Sequence, residues 1–515
     1  MTGKKKEGIK LKPLYIWLII SILAFTAVLV YSPHFYYKYP FHIDEWAHIN
    51  YAERLLHDQN YNVSVALSQG NFEIGYHLFL AGLFTVEKTV GIDPVLAYKF
   101  LPAAFAVLAS LVLFFIMFKL TKNYWIGIFS MLFFATLKTN VNLLGLWFAL
   151  PITFCIPLVF LFFFLFIIGW NEKPWVLIWA MIVFFIIMVT HAPSASFMVP
   201  ILVVYMIINH EPLKAKSKKW PYFVLFLMPI LAGCVIYFEA ISKGSILASL
   251  KFVFSKLIFK YGFTPTEPVL LPLVKLSFLK KVILVHPYFI PHLFGFGAFV
   301  FAVIGSVFTL KDKKLYIFTI WVLITTTLLS LFINFNFIIL APYQRMVYYC
   351  LLGLVPLSAI GIVKSVQWLY HRKIKWNKLL IVVIVVGVFF LSSYNYSTPP
   401  QGFELYKTMT DNNYAALKFM NTYDNGKMIW APLILGDTIY SLSKNNAFVS
   451  PLFIGNDDMR WDNNAFFLSE NCTERKRVLE IYKPDYVISE NAINCSDLGM
   501  TLIYNKGDYI YKASS

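Results

Sequence analysis

Asp44 and Glu45 stand side by side in an aromatic-rich run, residues 39–51, with His42 before them and His48 after. Neighbouring carboxylates among apolar groups are partly desolvated. Desolvation and a like charge both raise a carboxylate's pKa and suit it to accept a proton. The competing reading is a solvated loop in which the acids stabilise a helix start, with Asp44 as the N-cap. From Asp44 onward the pattern predicts an amphipathic helix with Trp46, Ile49 and Leu56 on the membrane interface. Glu73 and His77 follow about one helix further along, and His191, His286 and His292 fall near the same predicted outer face.

The spacing of these groups also bears on metals. Glu45-x-x-His48 matches one half of a di-iron carboxylate motif. The second half is missing, because Glu73 and His77 are one residue too far apart. His-Glu-x-x-His is absent as well, since Ile43 and Asp44 separate His42 from Glu45. No dedicated protein metal cage is predicted. A weakly held divalent cation shared with a substrate phosphate stays open.

The elements that must position these residues are set by composition. Of 515 residues, 59% are hydrophobic and only 14% charged, against about 25% charged in a soluble domain. That excludes a soluble enzyme and a disordered chain, and five cysteines exclude a disulfide-stapled scaffold. The formal charge of +17 is then read as cytosolic loop ends and lipid headgroup contacts, not nucleic acid.

Apolar runs of near-spanning length lie at 14–31, 96–118, 125–139, 143–169, 175–190, 195–209, 221–240, 292–310, 315–334, 344–363 and 379–394, about eleven spans. The run 76–90 carries Glu87 and Lys88 and reads as interfacial. Lys-rich short loops place the N-terminus and alternate loops in the cytoplasm, and the first run is expected to stay uncleaved. Three segments then lie outside: 32–95, 241–291 and 395–515.

The last of these changes character, with 14 of the chain's 27 acidic residues against 11 basic ones. Strand-like runs at 427–434, 486–489, 501–504 and 509–512, with helix-like runs at 414–420 and 473–482, predict a small soluble α/β domain. The chain thus divides into a membrane domain, 1–394, and an extracytoplasmic domain, 395–515. Cys472 and Cys495 fall in a segment where an oxidising compartment permits a bridge. The segment 241–291 is Lys-rich, with Lys281 among seven lysines. Its stretches 245–260 and 269–285 read as amphipathic helices lying on the bilayer and covering the site, or as a plain surface anchor.

Asp-Glu followed shortly by a histidine in the first external loop resembles the polyprenyl-phosphate-dependent glycosyltransferases of the GT-C fold, in particular the protein O-mannosyltransferase and aminoarabinose-transferase branch. The likeness continues through residues 73–84, through 91–102, and at Ala341-Pro-Tyr343-Gln-Arg345, where a basic residue opens a late span. It covers nearly the whole chain. Two residues, not one, separate Glu45 from His48, and the Trp-Trp-Asp-Tyr-Gly motif of oligosaccharyltransferases is absent from the tail.

The resemblance implies an α-helical polytopic membrane protein of GT-C type that moves a sugar from a polyprenyl-phosphate donor to a glycan, lipid or protein acceptor outside the cell membrane. It makes Asp44 the general base, with Glu45 orienting it or exchanging roles. Arg345, one of six arginines, would bind the donor phosphate, since guanidinium matches phosphate bidentately. His48, Glu73, His77, His191, Lys281, His286 and Tyr343 would line the substrate site. The alternatives are a transporter or lipid flippase and a non-catalytic assembly subunit. Transport is weakened because the predicted span centres hold no Asp or Glu, which coupled transporters keep there for function.

Overall fold

The computed structural model describes residues 13–68, 73–137, 145–210, 220–222, 224–228, 259–260, 290–335, 337–338, 343–371, 386–387, 407–449 and 457–513. Its first helices are α1 (Pro13–Tyr31), α2 (Ile43–His57), α3 (Val63–Ser68), α4 (Ile74–Thr89), α5 (Pro94–Tyr98) and α6 (Leu101–Thr121). Then come α7 (Tyr124–Ala135), α8 (Pro151–Asn171), α9 (Val176–Thr190) and α10 (Ala192–Ile208). The bundle closes with α11 (Ile290–Phe294), α12 (Phe296–Thr309), α13 (Tyr316–Phe335) and α14 (Tyr343–His371).

Four of these stretches, Pro13–Phe35, Pro94–Thr121, Pro151–Asn171 and Arg345–His371, are long and apolar enough to cross a bilayer, and five shorter apolar helices accompany them. The chain is a polytopic helical membrane protein. Nine of the expected spans coincide with apolar helices, while 221–240 and 379–394 lie mostly outside the described residues.

Two boundaries differ from expectation for local reasons. The run 143–169 is not one helix: residues 145–150 are irregular and α8 starts at Pro151. Proline has no N–H to lose at a first helical position and a φ already set for it. In the segment 245–260 the last two residues form a strand, β1 (Phe259–Lys260), paired antiparallel with β2 (Phe337–Ile338). The rest of that segment, 269–285, Lys281 and His286 lie outside the described residues.

Packing in the bundle is closest between α12 and α14. A Cβ at Gly305 would collide with the carbonyl oxygen of Leu357, and one at Gly361 with that of Phe301. Small residues are what let membrane helices approach this far. The Ser358 hydroxyl donates to the Ala298 carbonyl across the same contact at 2.8 Å. Trp321 of α13 reaches the Tyr349 carbonyl of α14 at 2.9 Å.

The tail is an α/β domain. Strands β3 (Met428–Trp430), β4 (Asn446–Ala447), β5 (Tyr486–Ser489), β6 (Met500–Tyr504) and β7 (Tyr509–Ala513) form one sheet in the order β4-β3-β5-β7-β6. The β3 pairings are parallel, and β7 runs antiparallel to β5 and β6. The helices are α15 (Asp411–Tyr423), α16 (Gly436–Ser443), α17 (Asp457–Leu468) and α18 (Cys472–Tyr482). The expected strand 427–434 is shorter than its apolar run, because Pro432 leads into a 3-10 turn at Leu433–Leu435 that continues into α16. Cys472 and Cys495 are joined as a disulfide.

The tail does not hang free. Its Met409, Leu417, Ile429 and Ile439 share one apolar core with Trp46 and Ile49 of α2 and with Tyr76, Leu80 and Phe84 of α4. Polar contacts ring that core. Tyr39 donates to Asp411 at 2.8 Å, Tyr414 to Asp93 at 2.5 Å, and Lys418 pairs with Asp93 at 2.8 Å.

Candidate active site

Helix α2 begins one residue before Asp44, and the residue that caps it is His42. Its ring nitrogen accepts the Asp44 N–H at 3.1 Å, and Glu45 reaches back to the His42 N–H at 3.0 Å. This reciprocal pair is a capping box. Asp44 is therefore not the cap, and its carboxylate is left to face outward, 27% exposed and 3.5 Å from the His42 ring.

Four α2 residues, Asp44, Ala47, His48 and Tyr51, line a cavity of about 180 Å³. Their spacing of three, four and seven is one face of a helix. Glu73 at the cap of α4, Leu150, Pro151 and Ile152 at the start of α8, His191 between α9 and α10, and Arg345 in the first turn of α14 complete it. One cavity thus joins five of the predicted groups, Asp44, His48, Glu73, His191 and Arg345, with the ends of α2, α4, α8 and α14 and the α9–α10 junction. His77 sits behind His48, with the two ring nitrogens 2.8 Å apart.

Glu45 does not line this cavity. It is fully buried on the other side of α2, with both oxygens engaged by backbone N–H groups. Tyr343 belongs to the first turn of α14, and its side chain is not among those described. The wall at 150–152 escaped the sequence reading because the apolar run 143–169 hid a loop end. Pro151 was the available signal.

The electrostatics follow from burial. Desolvation pushes the Glu73 carboxyl up to about 8, with the Arg345 guanidinium pulling the other way. Burial drives His77 down to about 3 and His48 well below its ordinary range, so both imidazoles are neutral near pH 7. His48 Nε2 and His191 Nε2 each lie 3.7 Å from a Glu73 oxygen. The His191 Nδ1 meets the Ser194 hydroxyl at 2.7 Å, which meets the Tyr349 hydroxyl at 2.8 Å. Arg345 contributes the site's fixed cation, and its Nη1 is buried without a hydrogen-bond partner among the described residues. A buried guanidinium nitrogen with unused donors is suited to a phosphate or carboxylate oxygen.

His48, Glu73 and His77 also present ligand atoms within 4.8 Å of one another. A mixed imidazole and carboxylate set of this kind suits a zinc-like or manganese-like ion.

No protein-family model matches the sequence, and no curated protein matches it either. Solved structures do. The apo oligosaccharyltransferase of Archaeoglobus fulgidus is similar over 98% of this chain and 75% of its own, with a TM-score of 0.61 at 12% identity. The mycobacterial arabinofuranosyltransferase AftD covers 98% of this chain with 40% of its own, TM-score 0.56 and 11% identity. Apo ArnT from Cupriavidus metallidurans covers 97% of both chains, TM-score 0.50 and 10% identity. All three are GT-C glycosyltransferases. The chain has the GT-C fold, with a small α/β domain at its C-terminal end.

Proposed function

We propose that the chain is a membrane glycosyltransferase that moves a sugar from a polyprenyl-phosphate donor to a hydroxyl acceptor on the extracytoplasmic face, inverting the anomeric centre. The observation that carries this reading is the convergence, in one cavity at the ends of apolar helices, of Asp44, Glu73 and a buried Arg345 nitrogen with no hydrogen-bond partner among the described residues. A water-soluble substrate would not require that setting. A lipid-borne phosphate would, because its prenyl chain stays in hydrocarbon while its headgroup reaches the bundle's rim.

In this reading Asp44 takes the acceptor's hydroxyl proton as that oxygen bonds to the anomeric carbon. The bond from that carbon to the phosphate oxygen breaks on the opposite side, and its electron pair leaves with the phosphate. Arg345 donates to the departing phosphate, whose charge grows as the bond breaks. His48 and His191, neutral and flanking Glu73, orient the sugar or its phosphate. Where a divalent cation joins the site, His48, Glu73 and His77 would hold it, and it would neutralise phosphate charge. Structures of the Archaeoglobus oligosaccharyltransferase include one with dolichol-phosphate and an inhibitory peptide and one with Zn and sulfate, which supports both parts of the reading.

We place the N-terminus in the cytoplasm and the tail outside. The Cys472–Cys495 bridge supports the second assignment, since disulfides persist in oxidising compartments.

The test is release of polyprenyl phosphate from radiolabelled polyprenyl-phosphate sugars by the purified protein in lipid nanodiscs. Turnover is expected with at least one donor and lost, by about 10²–10⁴-fold, in Asp44→Asn. Absence of release with every donor tried would return the transporter reading.

A further inference from the structure

Glu45 is chemically the twin of Asp44 and sits next to it, yet the helix turns it about 100° away from the cavity. Its carboxylate is fully buried and bonds two segments of chain about a hundred residues apart. One oxygen accepts the Phe41 N–H at 2.8 Å and the His42 N–H at 3.0 Å. The other accepts the Ala149 N–H at 2.8 Å. Phe41 and His42 form the entry to α2, the helix that presents Asp44. Ala149 immediately precedes Leu150, Pro151 and Ile152, which form a wall of the same cavity.

The Ala149 peptide is held from its other end too. Its carbonyl accepts the Tyr76 hydroxyl at 2.7 Å and the Tyr98 hydroxyl. Both tyrosines are buried, and neither lines the cavity. The Thr153 hydroxyl donates to Phe148 at 2.7 Å, fixing the turn into α8. One residue of an otherwise irregular segment, Ala149, is thus gripped at its N–H by α2 and at its C=O by α4 and α5.

We infer that Glu45 is a positioning residue: with Tyr76 and Tyr98 it clamps the backbone of Ala149 on both sides, setting the distance between Asp44 and the 150–152 wall of the cavity. An apolar side chain could fill the space but would leave three backbone N–H groups buried without acceptors. A neutral amide could serve the Phe41–His42 pair, yet it would turn an NH₂ towards the Ala149 N–H. Only an ionised carboxylate offers acceptors in both directions at once. The consequence for turnover rests on the glycosyltransferase reading; the clamp itself does not.

The experiment compares Glu45→Gln, the double variant Tyr76→Phe/Tyr98→Phe and their combination, in full-length protein in lipid nanodiscs. Amide hydrogen exchange of peptides covering 145–152 is read alongside turnover. Expected in Glu45→Gln are faster exchange at 149–152 and a kcat about 10²-fold lower, the scale of an ångström of misplacement. The donor KM keeps its wild-type value. The tyrosine pair is expected to change exchange and kcat in the same direction, and the combination to add little, because both hold the backbone of one residue, Ala149.

Wild-type exchange at 149–152 in Glu45→Gln, with turnover lost, would overturn the inference and make Glu45 part of the chemistry. Additive losses in the combination would overturn it as well. Should Glu45→Gln not fold, unchanged exchange in the tyrosine pair is equally decisive. If no glycosyl transfer is found at all, the exchange measurements still judge the clamp, so the two readings fail separately.

Discussion

Acidic clusters adjoin helix α2 at both ends, and they are treated in opposite ways. Near its C-terminal end Glu53 is 3% exposed and enclosed by Lys88 at 2.9 Å, Lys444 at 2.5 Å and His57 at 3.4 Å. Burial works to raise its pKa, and the two lysines outweigh it, holding the carboxyl below its ordinary value. Near the N-terminal end Glu73 is 29% exposed and faces two neutral imidazoles, with Arg345 set across the cavity. A carboxylate whose neighbours already balance its charge has little left for a substrate. The Glu53 cluster binds α2 and α4 to the tail, and the Asp44–Glu73 cluster lines the cavity in which we propose the ligand binds.

Substitutions at the two ends are expected to separate these roles. The largest effect falls at Asp44: Asp44→Asn is expected to abolish turnover while leaving the melting temperature within a degree or two, because its side chain holds no segment of the fold together. Glu53→Ala should do the reverse. It strands Lys444 and Lys88 and is expected to cost about 3 kcal/mol of stability, read by thermal denaturation, with tail and membrane domain separating under limited proteolysis. A Glu53→Ala protein that melts like wild type would erase the contrast.

Next comes Arg345→Lys, which keeps the charge but removes the planar fork. A rise in donor KM of about tenfold is expected, with little change in melting temperature. No change in KM would remove phosphate from the guanidinium's role.

The smallest effect is in pH dependence, where the two ends carry opposite signs. Glu73 ionises near 4.5 when unfolded and near 8 when folded, so its contribution to stability declines as pH rises between those values. Glu53 has its folded pKa below 4.5, so its contribution is present above that value and lost as pH falls through the folded one. Melting temperature measured against pH should therefore flatten between about 4.5 and 8 in Glu73→Gln and below 4.5 in Glu53→Gln. Both variants moving the same limb would contradict the assignment.

What the amino-acid order made legible was mostly local. Asp44, His48, Glu73 and Arg345 stood out because charged side chains are scarce in an apolar chain and these fell near span ends. Their meeting in one cavity is carried by the bundle, not by spacing. Glu45 read as Asp44's partner in chemistry because adjacency is visible in a sequence. Its actual contact, the Ala149 N–H, lies 104 positions away. Glu53 gave no signal for the same reason, since Lys444 lies 391 positions away. Helix α17 went unread because Asp457, Asp458, Asp462 and two asparagines interrupt its apolar pattern, and only packing of Phe466 into the tail's second core rescues it.

The glycine crossing between α12 and α14 has a mechanical corollary. Arg345 rides in the first turn of α14, about 24 Å along the helix from Gly361 at 1.5 Å per residue, yet the seating of that whole rod depends on two hydrogens being nothing larger. A methyl group at either glycine would lever the guanidinium away from its station without touching it, so under the proposed function a lesion deep among the lipid tails would read out as a faulty grip on the donor's phosphate.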